Sequence, residues 1–480
     1  MQYKQDLQLF ISGKWRDGKD ERTQTVLDPA TDKEIAAFHF AGQADVDEAL
    51  DTATSAFASW KRSMPRDRAA ILRKAAQITR ERMDELAFIL TLEQGKTIAQ
   101  SQGEIEAVIE AYETLAEECV RISGSIVAPY DSNETVKIVY EPVGPVLAVS
   151  PWNYPHMTPG VKIATAIAAG NSVILKASEE TPASAISVVR IFLEAGLPGD
   201  VLQLVMGDPA EISSRCISSP VIRVVSFTGS VPVGKLLMRQ ASAGLKRIAL
   251  ELGGHAPVVI CSDIDVDRVA GRCALAKFKN AGQICVSPTR FYVHNSIKDR
   301  FAEVFAKTAE KLVVGHGLDH GTEMGPLANA RRLASVEHMQ QDAIERGASL
   351  LTGGGRIGDT GNFWAPTVLL DVPDDAVLMN EEPFGPLAPI VGWDDLDEVM
   401  ERANGLPFGL SAYGFTASLE RATEISERLQ AGIVSINSFA LGTMQTPFGG
   451  YKESGIGREN GRFGLQDMLE VKTITLTAAE

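Results

Sequence analysis

From residue 42 to about 120, apolar and polar positions alternate with helical spacing and few breakers. Between Asp67 and Glu93 the set Ile71, Ala75, Ile78, Met83, Leu86 and Ile89 predicts helices joined by short turns, because positions three and four apart share one helix face. From 122 to 141 the pattern changes to short β-rich runs such as Val136–Tyr140. The run Val143–Val149 then has the continuous apolarity of a strand covered on both faces. A helical stretch at 160–169, a strand at Ser172–Leu175, a helix, a strand at Val201–Val205, another helix and a strand at Val221–Phe227 follow. The first of these inner helices is well punctuated: Thr181 as N-cap, Pro182 at the first position, Gly196 after the last turn and Pro198 beyond it. Strands spaced by helices imply right-handed crossovers and a parallel sheet covered on both faces. That is a doubly wound α/β domain, whose ligands sit beyond the carboxyl ends of its strands.

The alternation resumes after about 250 with Ala256–Ile260, a helix near 266–278, the strand Thr289–Val293, stretches at 300–314 and 333–347, and further elements to 436. This is enough for a second α/β unit. The last fifteen residues, Leu469–Ile474 among them, read as a strand leaving the body. Together with 122–141 it predicts an arm able to add to another copy's sheet.

Composition narrows the function classes. The chain has 480 residues, 45% of them apolar and 22% charged, a balance that supports a large globular core. Its formal net charge of −16 argues against nucleic acid, whose phosphates need a basic face. No run approaches the ~18–20 apolar residues of a membrane helix, and Met1–Phe10, with Lys4 and Asp6, lacks a secretory apolar core. Five cysteines without a Cys-x-x-Cys pair predict neither a disulfide framework nor a zinc site, and a cytoplasmic setting is expected.

Two glycine-rich runs imitate phosphate-binding motifs. Gly353–Gly358 satisfies G-x-G-x-x-G, but turn-like residues follow it where a helix is required, so a surface turn is expected. Gly229–Lys235 nearly spells a P-loop, yet Leu236 stands where Ser or Thr would hold Mg²⁺, which weighs against an NTPase. A strand running through Gly229-Ser230 into a helix still aims free N–H groups at any phosphate. An ordinary strand-to-helix turn reads the same way.

A nucleophilic cysteine must ionise, so its neighbours decide its chemistry. Cys119 follows Glu117 and Glu118, which should raise its pKa. Cys273 shares a helix face with Val269 and Ala276, and Cys216 and Cys261 have no evident base. Cys285 follows Asn280-Ala281-Gly282-Gln283 after a helix, where Gly282 permits close backbone approach and small or polar neighbours leave room for a ligand. It is the candidate nucleophile, a plain buried thiol being the alternative. Glu251 lies among Ile248, Ala249, Leu250 and Leu252, a setting that gives a general base its raised pKa unless the carboxylate is in a structural ion pair. Pro151-Trp152-Asn153-Tyr154-Pro155 ends a buried strand in a stiff turn that would fix the Asn153 amide as an oxyanion donor, or serve only as a rigid core turn.

Together the segments PWNYP (151–155), LKASEETP (175–182), FTGSVPVG (227–234), LELGGHAP (250–257), GQICVSPTR (282–290), EEPFGPL (381–387) and PFGGYKESGIGRE (447–459) are specific. Over essentially its whole length the chain resembles the NAD(P)-dependent aldehyde dehydrogenase superfamily. The resemblance implies a Rossmann-type NAD-binding domain (1–121 and 142–251), a second α/β catalytic domain (252–450) and a small β oligomerisation arm (122–141 and 451–480) in a homodimer or homotetramer. It implies Cys285 as nucleophile, Glu251 as general base, and Asn153 with the Cys285 N–H as oxyanion donors. It matches Trp152, Lys176, Glu179, Gly229, Ser230, Leu252, Glu382 and Phe384 to cofactor contacts, with Lys176 at the adenosine ribose and Glu382 at the nicotinamide ribose. A carboxylate at Glu179 would accept from ribose hydroxyls and repel a 2′-phosphate, so NAD is expected in preference to NADP.

TLEQGKTIAQSQGEI (91–105) and EEPFGPLAP resemble the succinate-semialdehyde dehydrogenase branch. That branch typically holds the substrate carboxylate with two arginines and carries a second cysteine. Here Val161 and Lys279 stand at the arginine positions and Ser287 at the cysteine. Lys279 offers an anion a point charge without the bidentate fork. The expected substrate is a small aldehyde: a semialdehyde such as succinate semialdehyde, or another aliphatic, aromatic or anionic one. A CoA-acylating aldehyde dehydrogenase is the alternative enzyme, and Glu251 argues against it because those enzymes generally lack this base. A non-enzymatic relative is the other alternative, opposed by the intact nucleophile, base and oxyanion donor.

Overall fold

Five strands, Val146–Val149, Val173–Lys176, Leu202–Val205, Val224–Gly229 and Arg247–Leu252, form the parallel heart of an eight-stranded sheet. The computed structural model describes Tyr3 and residues 6–479; Met1, Gln2, Lys4 and Gln5 of the N-terminal stretch, and Glu480, lie outside the described residues. In space Val146–Val149 is flanked by Val173–Lys176 on one side and Val224–Gly229 on the other. The strand order therefore reverses there, and the crossovers leave to opposite faces and open a crevice beyond the carboxyl ends. Pro151–Pro155 follows one of these two strands and Gly229-Ser230 ends the other, so both turns face that crevice.

Residues 42–120 fold as four helices, Gln43–Trp60, Pro65–Glu81, Met83–Gln94 and Ile98–Cys119, whose apolar faces join the core of this sheet. Antiparallel strands close its edges: Leu9–Ile11 beside Leu202–Val205, and Gly455–Ile456 beside Arg247–Leu252. The segment 451–468, grouped with the arm from sequence, thus returns to the first sheet, where Gly455 pairs with Glu251. A two-residue strand is too short to show a period, so the pattern could not announce it.

The second unit is a seven-stranded sheet with Pro288–His294 between Ala256–Ile260 and Leu387–Trp393, built on a separate apolar core. Gly353–Gly358 lies in the connection from Ser349–Thr352 to Thr367–Leu370, a turn as expected. Leu469–Thr477 pairs antiparallel along Glu134–Pro142, with Ser125–Val127 on the far side, and carries exposed Val471 and Leu476. Among the described residues no helix is long and apolar enough to cross a membrane.

One expected cap differs. The helix begins at Pro182, but the Thr181 hydroxyl makes no capping bond. Glu93, from the end of Met83–Gln94, takes that place. Its Oε1 accepts from Ala183 N and Tyr3 Oη, at 2.8 and 2.7 Å, and its Oε2 accepts from Ser184 N and Ser184 Oγ, at 2.8 and 2.7 Å. A carboxylate satisfies the exposed N–H groups and the helix dipole better than a hydroxyl does. Supplied from another helix, it leaves no local motif.

Candidate active site

A cavity of about 1540 Å³ runs along the crevice with walls from both sheets. Cys285, Glu251 and Asn153 all line it, as do Val161 and Lys279. Of the residues matched to cofactor contacts, Trp152, Gly229, Ser230, Leu252, Glu382 and Phe384 line it too. Lys176 and Glu179 do not; they form an ion pair with each other at the end of the neighbouring strand Val173–Lys176.

Glycines allow three chain segments to meet here. A Cβ on Gly253 would lie 2.3 Å from Glu382 Oε2, and one on Gly254 would lie 2.8 Å from the Cys285 carbonyl oxygen. Gly282, at φ +73°, leaves only 2.2 Å between its Cβ position and the Gly385 carbonyl oxygen. The close approach expected at Gly282 is therefore the approach of the 381–387 segment.

Cys285 is half-buried, whereas the other four cysteines are buried, and all five are free. Burial pushes its thiol well up, and the carboxylates of Glu382 and Glu251 add to the rise. The backbone N–H groups of Cys285 and Val286 offset part of it. The surroundings thus hold the sulfur as a thiol that needs a base, while the cavity beside it leaves the room for a ligand expected from its neighbours in sequence. Cys119 is also raised, but by burial. Glu117 and Glu118, expected to be the cause, are turned to Arg121 at 3.1 and 3.2 Å.

Glu251 sits on the strand Arg247–Leu252, opposite Thr228 on one side and Gly455 on the other. Burial raises its pKa well above the carboxylate range, and the nearby charge of Glu459 raises it further, while Lys162 and Arg458 pull it down. Its Oε2 is buried without a hydrogen-bond partner among the described residues. An unpaired carboxylate oxygen in a cavity wall is a place for a water and for the proton that water gives up.

Asn153 is buried, and its Nδ2 donates to the Gln283 carbonyl at 3.2 Å. One amide N–H is thus spent on the loop that carries Cys285, and the other is free to donate into the cavity. Lys279 is exposed, with no hydrogen-bond or ion-pair partner among the described residues. Val161 is buried in the helix Met157–Ala169.

The other end of the cavity fits a dinucleotide. The helix Val231–Ser242 starts at Ser230 without a side-chain cap, leaving its first N–H groups for a phosphate. Gly234 has no side chain to displace Leu252, whose Cδ2 lies 2.6 Å from its Cβ position. Glu382 Oε1 accepts from Gly254 N at 3.1 Å, which leaves the other oxygen for a sugar hydroxyl. Phe384 meets Trp152 edge-on, with centroids 5.5 Å apart.

Four further residues went unnoticed in the sequence. Lys162 Nζ donates to Glu459 Oε1 at 2.5 Å and to Ser226 Oγ at 3.0 Å. Lys96 Nζ meets Glu104 Oε2 at 2.6 Å. Lys162 is the lone charge in an otherwise apolar helix, and Glu104 falls in register with Ile105 and Val108 on a buried face. Such misplaced charges were the readable signal. His316 and His320 stand four residues apart, but His316 Nε2 faces Asp28 at 3.3 Å. No cluster of three or more metal-ligating side chains occurs among the described residues.

The Aldehyde dehydrogenase family model matches residues 15–474. The 4-(hydroxymethyl)benzenesulfonate dehydrogenase TsaD1 of Comamonas testosteroni is 42% identical over 465 residues, covering 97% of both chains. The NADP(+) succinate-semialdehyde dehydrogenase GabD of Escherichia coli K12 is 37% identical, covering 97% of this chain and 96% of its own. The crystal structure of a succinate-semialdehyde dehydrogenase from Burkholderia pseudomallei superposes with a TM-score of 0.97 at 38% identity, covering 99% of this chain and all of that one. The chain belongs to the aldehyde dehydrogenase family, oxidoreductases that convert an aldehyde to its carboxylic acid.

Proposed function

We propose that this chain oxidises a small aldehyde with NAD through covalent attachment to Cys285. The observation that carries the reading is the meeting of one free thiol, one buried carboxylate with an unpaired oxygen and one fixed amide in a single cavity. Glu251 takes the thiol proton, and the sulfur bonds to the aldehyde carbon. The resulting oxyanion accepts from Asn153 Nδ2 and the Cys285 N–H, donors already in place before charge develops. A bound nicotinamide, held beside Glu382 and Phe384, would supply the acceptor for the hydride leaving the adduct carbon, and the C–S bond is then that of a thioester on Cys285. Glu251, having passed its first proton to solvent, then takes one from a water that attacks the thioester carbon, and the acid leaves as Cys285 recovers its proton.

Lys176 and Glu179 are assigned to the adenosine end, where the Glu179 carboxylate favours NAD over NADP. Gly229, Ser230 and Leu252 face the phosphates, and Trp152, Glu382 and Phe384 the nicotinamide side. The aldehyde enters past Val161 and Lys279. The unpaired Lys279 ammonium suits a substrate with an anionic end, a semialdehyde among them. The relatives named for a benzenesulfonate and for succinate semialdehyde share that chemistry. The domain assignment is 1–121 with 142–251, 252–450, and an arm of 122–141 with the strand Leu469–Thr477, while 451–468 joins the first sheet through Gly455. The open-edged arm, with its exposed Val471 and Leu476, is assigned to a homodimer or homotetramer. Five unbridged thiols suit a reducing, cytoplasmic setting.

The test is NADH formation across succinic, glutaric, aliphatic and aromatic aldehydes, comparing the wild type with Cys285→Ala. Loss of all turnover in the variant is expected. An unchanged rate would overturn the covalent route, and acyl-CoA formed in place of free acid when CoA is added would reassign the second step.

A further inference from the structure

The residues 91–105 carried a resemblance but no role, and two of them converge beneath the turn that bears Asn153. Lys96 lies just past the helix Met83–Gln94, and Glu104 lies on Ile98–Cys119. Both side chains are buried. The Lys96 ammonium has three N–H directions and uses all of them. It donates to Glu104 Oε2 at 2.6 Å and to the Asn153 carbonyl at 2.8 Å, and it sits 4.1 Å from the centroid of the Tyr154 ring. The other oxygen of Glu104 accepts from His156 N at 2.9 Å and Met157 N at 3.0 Å, the first N–H groups of the helix Met157–Ala169.

One buried ion pair therefore grips the 151–155 turn at two points: at its middle, through the carbonyl of Asn153, and just past its end, at the helix start that follows Pro155. On the far side the Asn153 amide is tied to Gln283, two residues before Cys285. Asn153 is thus held at its carbonyl by Lys96 and at its side-chain amide by the Gln283 carbonyl, while Glu104 fixes the backbone three and four residues further on. A buried charge pair is an expensive way to hold a turn, and it contributes little net stability. Positioning is what it supplies, because oxyanion stabilisation falls steeply once a donor shifts.

We infer that Lys96 and Glu104 are positioning residues that hold the Asn153 amide against the Cys285 loop, so that the oxyanion site is built before substrate arrives. The inference rests on the reading of Asn153 as oxyanion donor. Neither side chain reaches the reacting atoms; both act through Asn153.

The experiment is a double-mutant cycle on the full chain with NAD and a turned-over aldehyde. Lys96→Met, Glu104→Gln and Asn153→Ala are compared singly and combined by the rate of NADH appearance in the first turnover. Aldehyde KM and alkylation of Cys285 by iodoacetamide are followed in parallel, since alkylation needs the sulfur but no oxyanion donor. Lys96→Met and Glu104→Gln should each slow the first turnover about tenfold to a hundredfold, with KM and alkylation little changed. Adding either substitution to Asn153→Ala should then slow it hardly further. Losses that multiply, an equal loss in alkylation, or wild-type rates in both variants would overturn the inference. A wild-type rate in Asn153→Ala itself would remove the oxyanion reading, and the positioning role with it. Glu104→Gln keeps the side-chain shape and an oxygen for His156 N and Met157 N, so it remains decisive if Lys96→Met does not fold.

Discussion

The Lys162 ammonium and the Glu459 carboxylate meet at 2.5 Å across 297 positions of chain. Both charges act on Glu251, in opposite senses: Glu459 raises its pKa and Lys162 lowers it. The pair thus sets the base that the proposed mechanism needs twice.

In Glu459→Gln a negative charge is lost and the Lys162 ammonium is left unpaired. Both changes favour the Glu251 carboxylate, so its pKa falls. The rising limb of kcat against pH should move about one unit toward acid. A limb that stays or moves toward alkali would contradict the assignment of Glu251 as base. In Glu251→Gln the steady-state rate should fall by about a hundredfold or more.

Glu179 holds the Lys176 ammonium in an ion pair. In Glu179→Gln the repulsion of a 2′-phosphate disappears and Lys176 is released to meet it. The kcat/KM for NADP should rise about tenfold relative to that for NAD. Wild-type enzyme with NADP equal to NAD would already defeat the preference.

Burial pushes the Glu382 carboxyl up to about 7, against the opposing pull of Gly254 N, Arg332 and Lys277. Below that pH it is protonated and a weaker acceptor for a ribose hydroxyl. The KM for NAD should therefore rise as pH falls from about 8 to 6. In Glu382→Gln that pH dependence should vanish, leaving a uniformly high KM.

Glu93→Ala removes the cap of Pro182–Glu194 and strands the Ala183 and Ser184 N–H groups in the core. The loss should be about 2–4 kcal/mol, read from urea unfolding. The KM for NAD should rise with it, because this helix start directly follows the Lys176–Thr181 loop. Ser184→Ala, which deletes one hydroxyl bond, should cost about 1 kcal/mol.

Much of this molecule is legible in its sequence. Four apolar runs mark four of the five parallel strands of the first sheet to within a few residues, the fifth, Arg247–Leu252, being read only as an apolar setting for Glu251; the strand-turn-helix at Gly229-Ser230 formed as its residues required. The order of short motifs brought Cys285, Glu251 and Asn153 into one cavity. The adenosine pair was less legible, since Lys176 and Glu179 lie off the cavity wall and face each other. Local pattern also failed where a partner came from elsewhere, as with Glu93 in place of Thr181.

What the sequence determined by itself was the type and order of the elements, because periodicity and caps are properties of neighbouring residues. It also determined which reactive groups are present. The tertiary structure decided which polar groups face one another: Lys162 with Glu459, Lys96 with the Asn153 carbonyl, and Glu382 with the Cys285 thiol. Burial and the electrostatics of low-dielectric contacts depend on distance in space. Chain closure sets that distance between residues whose separation along the sequence carries no periodic trace.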